Sequence, residues 1–147
     1  MSQQMKSLNE QFTESMFLVT HAWRTEMDRR LRPLGFSHSR WLLLLYLSRH
    51  DGCTQSELAQ HMGIEAATLV RSVDYMEKEG FLKRCGSETD RRVKHLHLSD
   101  EGKTVVTNIR SYAADLRKEM LSGLRPDEIK CALDVLNSIR KKLGVPT

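Results

Sequence analysis

A mainly helical fold with one small β-hairpin is the fold class this sequence predicts: a winged helix-turn-helix held between N- and C-terminal helices. Three observations predict it. Two short helical segments meet at a tight turn containing Gly63, the signature of a helix-turn-helix. Two strand-like stretches follow, GFLKRCG at residues 80–86 and a run in which Leu96 and Leu98 alternate with polar residues. At both ends of the chain, apolar residues recur at steps of three and four, as on one face of a helix.

The first helix runs from about Leu8 to Leu31, with Phe12, Met16, Val19, Trp23, Met27 and Leu31 on one stripe. Pro33 ends it, because the residue before a proline is steered out of the helical region. Ser37 or Ser39 caps a second helix, which carries WLLLLYL through His50 and is apolar nearly all round, so it belongs in the core. Asp51-Gly52 is a turn signal. Thr54 and Glu57 have capping-box spacing for a short helix, about Gln55 to Met62, which Gly63 stops. The next helix, about Ala66 to Glu79, turns Leu69, Val73 and Met76 inward and leaves Thr68, Arg71, Ser72 and Tyr75 outside. After the hairpin, Ser99 caps a long helix with Asp100 and Glu101 in its first turn and Val105, Ile109, Tyr112, Leu116 and Met120 as its stripe. SGLRPDE breaks that helix, and Pro126 opens a last one carrying Ile129, Leu133, Leu136, Ile139 and Leu143.

A chain of 147 residues fits one domain with its own core. The expected organisation is a single domain over 1–147, with the winged helix-turn-helix at 37–99 and dimerisation helices at 8–34 and 100–145, whose apolar stripes exceed what one copy needs. Three cysteines without C-x-x-C spacing fit a reducing cytoplasm rather than a disulfide framework. MSQQMKSLNEQF lacks an apolar segment, so no secretory signal is expected. The longest strongly apolar run, residues 41–47, is far below the roughly 18–20 residues that span a bilayer. No nucleophile–base set, glycine-rich phosphate loop or metal constellation is visible, so neither an enzyme nor a cofactor is expected. A metal reading of Cys85, His95 and His97 lacks a further ligand at metal-site spacing.

The net charge of +4 is mild, but it is concentrated. Residues 81–98 hold five cations (Lys83, Arg84, Arg91, Arg92 and Lys94) against Glu88 and Asp90. Arg91 and Arg92 fall near the hairpin tip, where there is nothing to pack against. An arginine presented there can enter the minor groove of double-stranded DNA, which concentrates negative potential where A·T tracts narrow it. Arg71 on the outer helix face can fork onto guanine or clamp a phosphate. Ala66, Ala67 and Thr68 at the helix entrance permit close approach to bases. Lys83, Arg84 and Lys94 are phosphate-side support.

ELAQHMGIEAATLVRSVDYMEKEGFLKR followed by DRRVKHLHLSDEG resembles the MarR family of bacterial transcriptional regulators, over about residues 12–143. IEAATLVRSVD, RLRPLGFSHSRW and the doubled arginine after aspartate resemble its SlyA-like branch most. The resemblance implies a homodimer whose terminal helices interlock and whose two winged units read a pseudo-palindromic, A·T-rich operator. It implies DNA contact by Ala66, Ala67, Thr68, Arg71, Ser72, Arg84, Asp90, Arg91, Arg92 and Lys94. One wing arginine would insert while the other pairs with Asp90; alternation favours Arg91 as the free one. It also implies a small aromatic carboxylate or phenol as effector, held by His21, Trp23, Arg24, Ser39 and Trp41. Leu45 departs from the pattern, standing where a histidine partner is found in relatives. Two alternatives stay open: a low-specificity, nucleoid-like DNA binder, and a thiol-based redox regulator using Cys85 beside Arg84.

Overall fold

A computed structural model describes residues 6–145, so the leading residues of the stretch without a secretory signal lie outside it. Helix α1 spans Leu8–Leu31, as the periodicity predicts. Ser7 opens it with a reciprocal cap: its hydroxyl accepts the Glu10 N–H at 3.2 Å, and the Glu10 carboxylate accepts the Ser7 N–H at 2.7 Å. Those hydrogen bonds hold the Glu10 carboxyl below its ordinary range. A short 3-10 turn at Arg32–Leu34 carries Pro33, and Gly35 closes it at φ 75°, where its N–H reaches the Arg32 carbonyl.

Helix α2 covers His38–Arg49 and buries Trp41, Leu43, Leu44 and Leu47. It stops one residue short of the expected end. Ser37 is the cap residue, but its hydroxyl lies against Ser39 instead of a helix amide. Helix α3 covers Gln55–Met62, and the Thr54–Glu57 capping box is formed in both directions. Gly63, at φ 65°, makes the sharp turn into α4, Ala66–Lys78. Leu69, Val73 and Met76 are buried on α4, as predicted.

Strands β1 (Leu82–Gly86) and β2 (Lys94–Leu98) pair antiparallel, with Leu82 opposite Leu98 and Arg84 opposite Leu96. The segment Gly52–Thr54 adds a short third edge that the sequence reading missed. The Gly52 N–H donates to Leu96 and the Leu96 N–H to Cys53, both at 2.8 Å. It is too short to show an alternation of its own.

Helix α5 covers Asp100–Met120. Ser99 caps it, accepting the Gly102 N–H at 3.0 Å and donating to the Gly80 carbonyl at 2.6 Å. The expected stripe is off by one position in its first half: Val106 is buried and Val105 half-buried. Gly102 explains this, because its missing side chain lets the α5 backbone sit against Phe81 and sets which neighbours turn inward. Helix α6 covers Pro126–Lys142, with Pro126 at its start as predicted, and buries no residue. Phe12 and Val19 of the α1 stripe are exposed, as are Leu133, Leu136 and Leu143 of the last stripe.

The chain divides into two compact units within α5, the first running through Ala113 and the second from Ala114. The core of the first is the α2–α3–α4–hairpin assembly, closed by Met27, Leu31, Val106 and Ile109. Among the described residues no helix is long and apolar enough to cross a membrane.

Candidate nucleic-acid interface

Helix α4 stands with its apolar side in the core and its other side in solvent. Ala66, Ala67, Thr68 and Arg71 are exposed and Ser72 is half-buried. The two neighbours that could pair with Arg71 are both engaged elsewhere. Asp74 accepts from Arg84 at 2.6 Å, and the Tyr75 ring lies 3.5 Å beneath the Arg40 guanidinium. Arg71 therefore has no hydrogen bond or ion pair among the described residues. Lys78 lies seven residues further along the same exposed face, a cation the sequence reading passed over although its spacing shows it.

The wing tip is ordered by its own polar atoms. The Ser87 hydroxyl accepts from the Thr89 N–H at 3.2 Å, and the Ser87 N–H donates to Val93 across the loop at 3.0 Å. Asp90 accepts the Arg92 backbone N–H at 2.9 Å. This corrects one expectation: Asp90 fixes the loop through the main chain and not through an arginine side chain. A carboxylate two residues before an amide closes a compact ring that a long guanidinium stem, free to rotate in water, does not match. Both Arg91 and Arg92 are left exposed and without an ion pair among the described residues. Lys83 and Lys94 are exposed as well.

Arg84 is a second correction. It was expected on the phosphate side, but it shares a strand face with buried Leu82, because side chains two apart on a strand point the same way. Its guanidinium meets Glu77 and Asp74 of α4 and, at 3.1 Å, the Gln55 amide oxygen of α3. Burial alone would push its pKa down; the hydrogen bonds and charges of Asp74 and Glu77 outweigh that and raise it. The same alternation turns Cys85 to the other strand face, so the cation expected beside that thiol is turned away from it. Burial pushes the Cys53 thiol up, with the charges of Glu57 and Asp51 adding to the effect, the opposite of what favours a reactive thiolate. His95 bonds the Gly52 carbonyl at 2.9 Å and His97 the Asp51 carboxylate at 3.2 Å. Among the described residues no group of three or more His, Cys, Asp or Glu is arranged to hold a metal ion. A polar hollow of about 390 Å³ lies between the first turn of α3 and the wing, lined by Thr54, Gln55, Ser56, Arg84, Arg92, Val93 and Lys94.

An apolar cavity of about 500 Å³ opens between α1 and α2. Trp23, Arg24 and Trp41 line it, with Val19, Thr20, Met27, His38, Leu42, Leu45 and Ala113. His21 and Ser39 do not line it. Each stands two positions before a lining tryptophan, a rotation of about 200° on a helix, so neither faces the cavity. His38 does, one residue from the expected Ser39. Asp28 accepts from Trp41 Nε1 at 2.8 Å and meets His38 Nδ1 at 3.1 Å, fixing both rings at the cavity wall. The two rings pack edge to face, centroids 4.9 Å apart.

The comparisons with known proteins agree with this arrangement. The MarR family profile matches residues 34–93, which cover α2, the helix-turn-helix and the outgoing wing. The solved structure of transcriptional regulator PA3341 is 40% identical, covering 90% of this chain and 98% of its own, with a TM-score of 0.82. Streptococcus pneumoniae FabT, solved in complex with DNA, is 19% identical over 92% of this chain and 97% of its own, at a TM-score of 0.83. The transcriptional regulator SlyA is 20% identical over 90% of this chain and 93% of its own, at a TM-score of 0.80. The last two show likeness of fold. The fold is that of DNA-binding transcriptional regulators, and the chain belongs to the MarR family.

Proposed function

We propose that the protein is a homodimeric, sequence-specific regulator of the SlyA-like branch, acting in the cytoplasm on a pseudo-palindromic, A·T-rich operator. In this reading the exposed face of α4 enters the major groove with Ala66, Ala67, Thr68, Arg71 and Ser72, and Arg91 and Arg92 enter the adjoining minor groove. The observation that carries it is that Arg71, Arg91 and Arg92 form no ion pair among the described residues, while Arg84 and Arg40 nearby are engaged. An unpaired guanidinium needs no internal bond broken before it docks on a phosphate or base edge. Asp90 contributes by pre-ordering the tip, which lowers the entropic cost of docking. Lys94 supports the backbone side. The dimer reading is supported by the exposed apolar residues of α1 and, separately, by those of α6.

The test is an operator titration at several salt concentrations. Arg91→Ala and Arg92→Ala are expected to weaken binding and to flatten the dependence of log K on log salt by about one unit per lost phosphate contact. Unchanged affinity and slope in both variants would remove the wing from the interface. Titration against unrelated DNA separates this reading from a nucleoid-like binder, for which the specificity ratio stays near one.

The cavity between α1 and α2 favours a small aromatic acid as effector. Trp23 and Trp41 offer ring faces, Arg24 a carboxylate partner and His38 a further polar contact. Leu45 makes that side of the cavity apolar, which suits a ring edge better than a second polar group. Trp23 and Trp41 are the only tryptophans in the chain, so occupancy reads out directly in intrinsic fluorescence. Salicylate-like acids are expected to quench it, and Arg24→Met to weaken the quench by about tenfold through loss of the charge-assisted bond. No quench at millimolar acid would count against an effector of this class.

A further inference from the structure

We infer that Arg84 is a positioning residue that sets the wing against α4, so that the wing arginines and the α4 face meet one stretch of DNA as a rigid pair. The inference rests on the proposed wing contact and concerns what makes that contact possible. Arg84 is the point where three elements are joined. Its backbone N–H donates to Glu77 at 3.3 Å, its Nη1 to the same carboxylate, and its Nη2 to Asp74 at 2.6 Å and Gln55 at 3.1 Å. One side chain of β1 thus grips two successive turns of α4 and the first turn of α3.

A two-stranded hairpin is marginal by itself in water. Leu82, Leu96 and Leu98 anchor the base of this one in the core. Beyond Arg84 the strands run outward to Gly86 and Lys94 and then to a tip of exposed residues. Among the described residues Arg84 is the outermost side chain that ties the wing to α4, while the His95 ring, one register position further out, holds β2 to the Gly52 carbonyl. The planar guanidinium fork suits it to hold two carboxylates and an amide oxygen at once, which an ammonium does not match. It has a second effect. Asp74 and Glu77 lie on the DNA-facing helix, and Arg84 offsets one of their two charges, lowering the repulsion that two bare carboxylates would exert on a phosphate backbone.

A double-mutant cycle on operator affinity tests this, using the full-length protein. Arg84→Lys and Arg84→Met are each expected to weaken operator binding about tenfold, because the lysine keeps the charge but loses the fork. In either background the further penalty of Arg91→Ala/Arg92→Ala should shrink to less than about threefold, since a wing that has lost its bearing contributes little to lose. The variant Asp74→Asn/Glu77→Gln/Arg84→Met leaves no uncompensated carboxylate and guards against simple unfolding of Arg84→Met. It should show the same collapse of the wing penalty. Wild-type affinity in Arg84→Lys, or wing penalties that multiply unchanged in the charge-neutral variant, would overturn the positioning role. If Arg91→Ala/Arg92→Ala costs nothing in the wild-type protein, the wing contact itself fails and the positioning role falls with it; multiplied penalties leave the wing contact standing.

Discussion

Gly102→Ala is expected to lower the stability of the winged unit by about 2 kcal/mol or more, seen as a fall of roughly 5–10 °C in the thermal midpoint by circular dichroism. Helix propensity argues the other way, since alanine inside a helix is favoured over glycine by about 1 kcal/mol. The contact geometry decides. A Cβ at residue 102 would stand 2.0 Å from the Phe81 carbonyl oxygen and 3.2 Å from Leu98 Cδ2. The carbonyl has nowhere to go. It accepts the Ser99 N–H at 3.1 Å, the Phe81 N–H is bound to the Met76 carbonyl at 2.9 Å, and the Phe81 ring packs edge to face on Phe36 at 5.1 Å. Relief must come from α5 moving outward, which breaks the Ser99 cap and its bond to Gly80. Overpacking against fixed backbone costs about 3 kcal/mol or more and exceeds the propensity gain. Gly86→Ala is the control. Its Cβ would meet only the Lys94 Nζ at 3.7 Å, so it should stay within about 0.5 kcal/mol of the parent. A midpoint that rises in Gly102→Ala would show that the α4–β1 corner yields more easily than these bonds imply.

What was legible in the sequence was what local chemistry decides. The Thr54–Glu57 cap, the glycine at 63, the proline at 126 and the serine before α5 each act on atoms within four residues, and each stands where the spacing puts it. The recognition-helix face was legible for the same reason, because a stripe of Leu69, Val73 and Met76 leaves one opposite side. The misreadings arise where a side chain's neighbours are distant in sequence. Arg84 reads as one more cation in a basic run until the strand is placed. Then Leu82 two residues earlier puts it on the inner face, and Asp74, Glu77 and Gln55 come from two other elements. That strand alternation was available in the sequence; its carboxylate partners were not. His21 and Ser39 were carried over by resemblance, and helix periodicity alone would have turned both away from the tryptophans. The Gly52–Thr54 edge and the seat of Gly102 have no local signal, since both depend on what β2 and Phe81 bring to them.

Replacing Leu133 and Leu136 together by aspartate is expected to yield a monomer whose operator affinity is lower by about 10²–10⁴. The argument begins with α6, which has 17 residues and no buried one. A helix of that length that packs only through half-buried residues such as Ile129 and Ile139 is marginal in water, because its few hydrogen bonds barely offset the cost of nucleation. Yet Leu133 and Leu136 are 51% and 41% exposed in that helix, and Leu143, which caps its end, is 71% exposed. On α1 the same holds for Leu8, Phe12, Phe17, Leu18 and Val19, all exposed beside polar residues that would suit solvent better. Single exposed apolar residues are ordinary, but a concentration of them along one helix marks an association surface, and α1 and α6 each carry such a concentration. In the proposed dimer a second copy covers such a surface, which also serves the proposed reader. One α4 spans only a few base pairs, and a two-fold pair doubles the contacts at half-sites one helical turn apart. Once one reader is bound, the second docks from within the same particle at an effective concentration near millimolar, so the pair gains affinity without new contacts. Aspartates at 133 and 136 place charges in that surface and leave the buried residues of the first unit untouched. Light scattering should therefore report a monomer, circular dichroism should show a helical content that falls by no more than the 17 residues of α6, and the salt slope on the operator should fall to about half. A parent protein that sediments as a monomer at micromolar concentration, or a variant that remains a dimer, would place the association surface elsewhere.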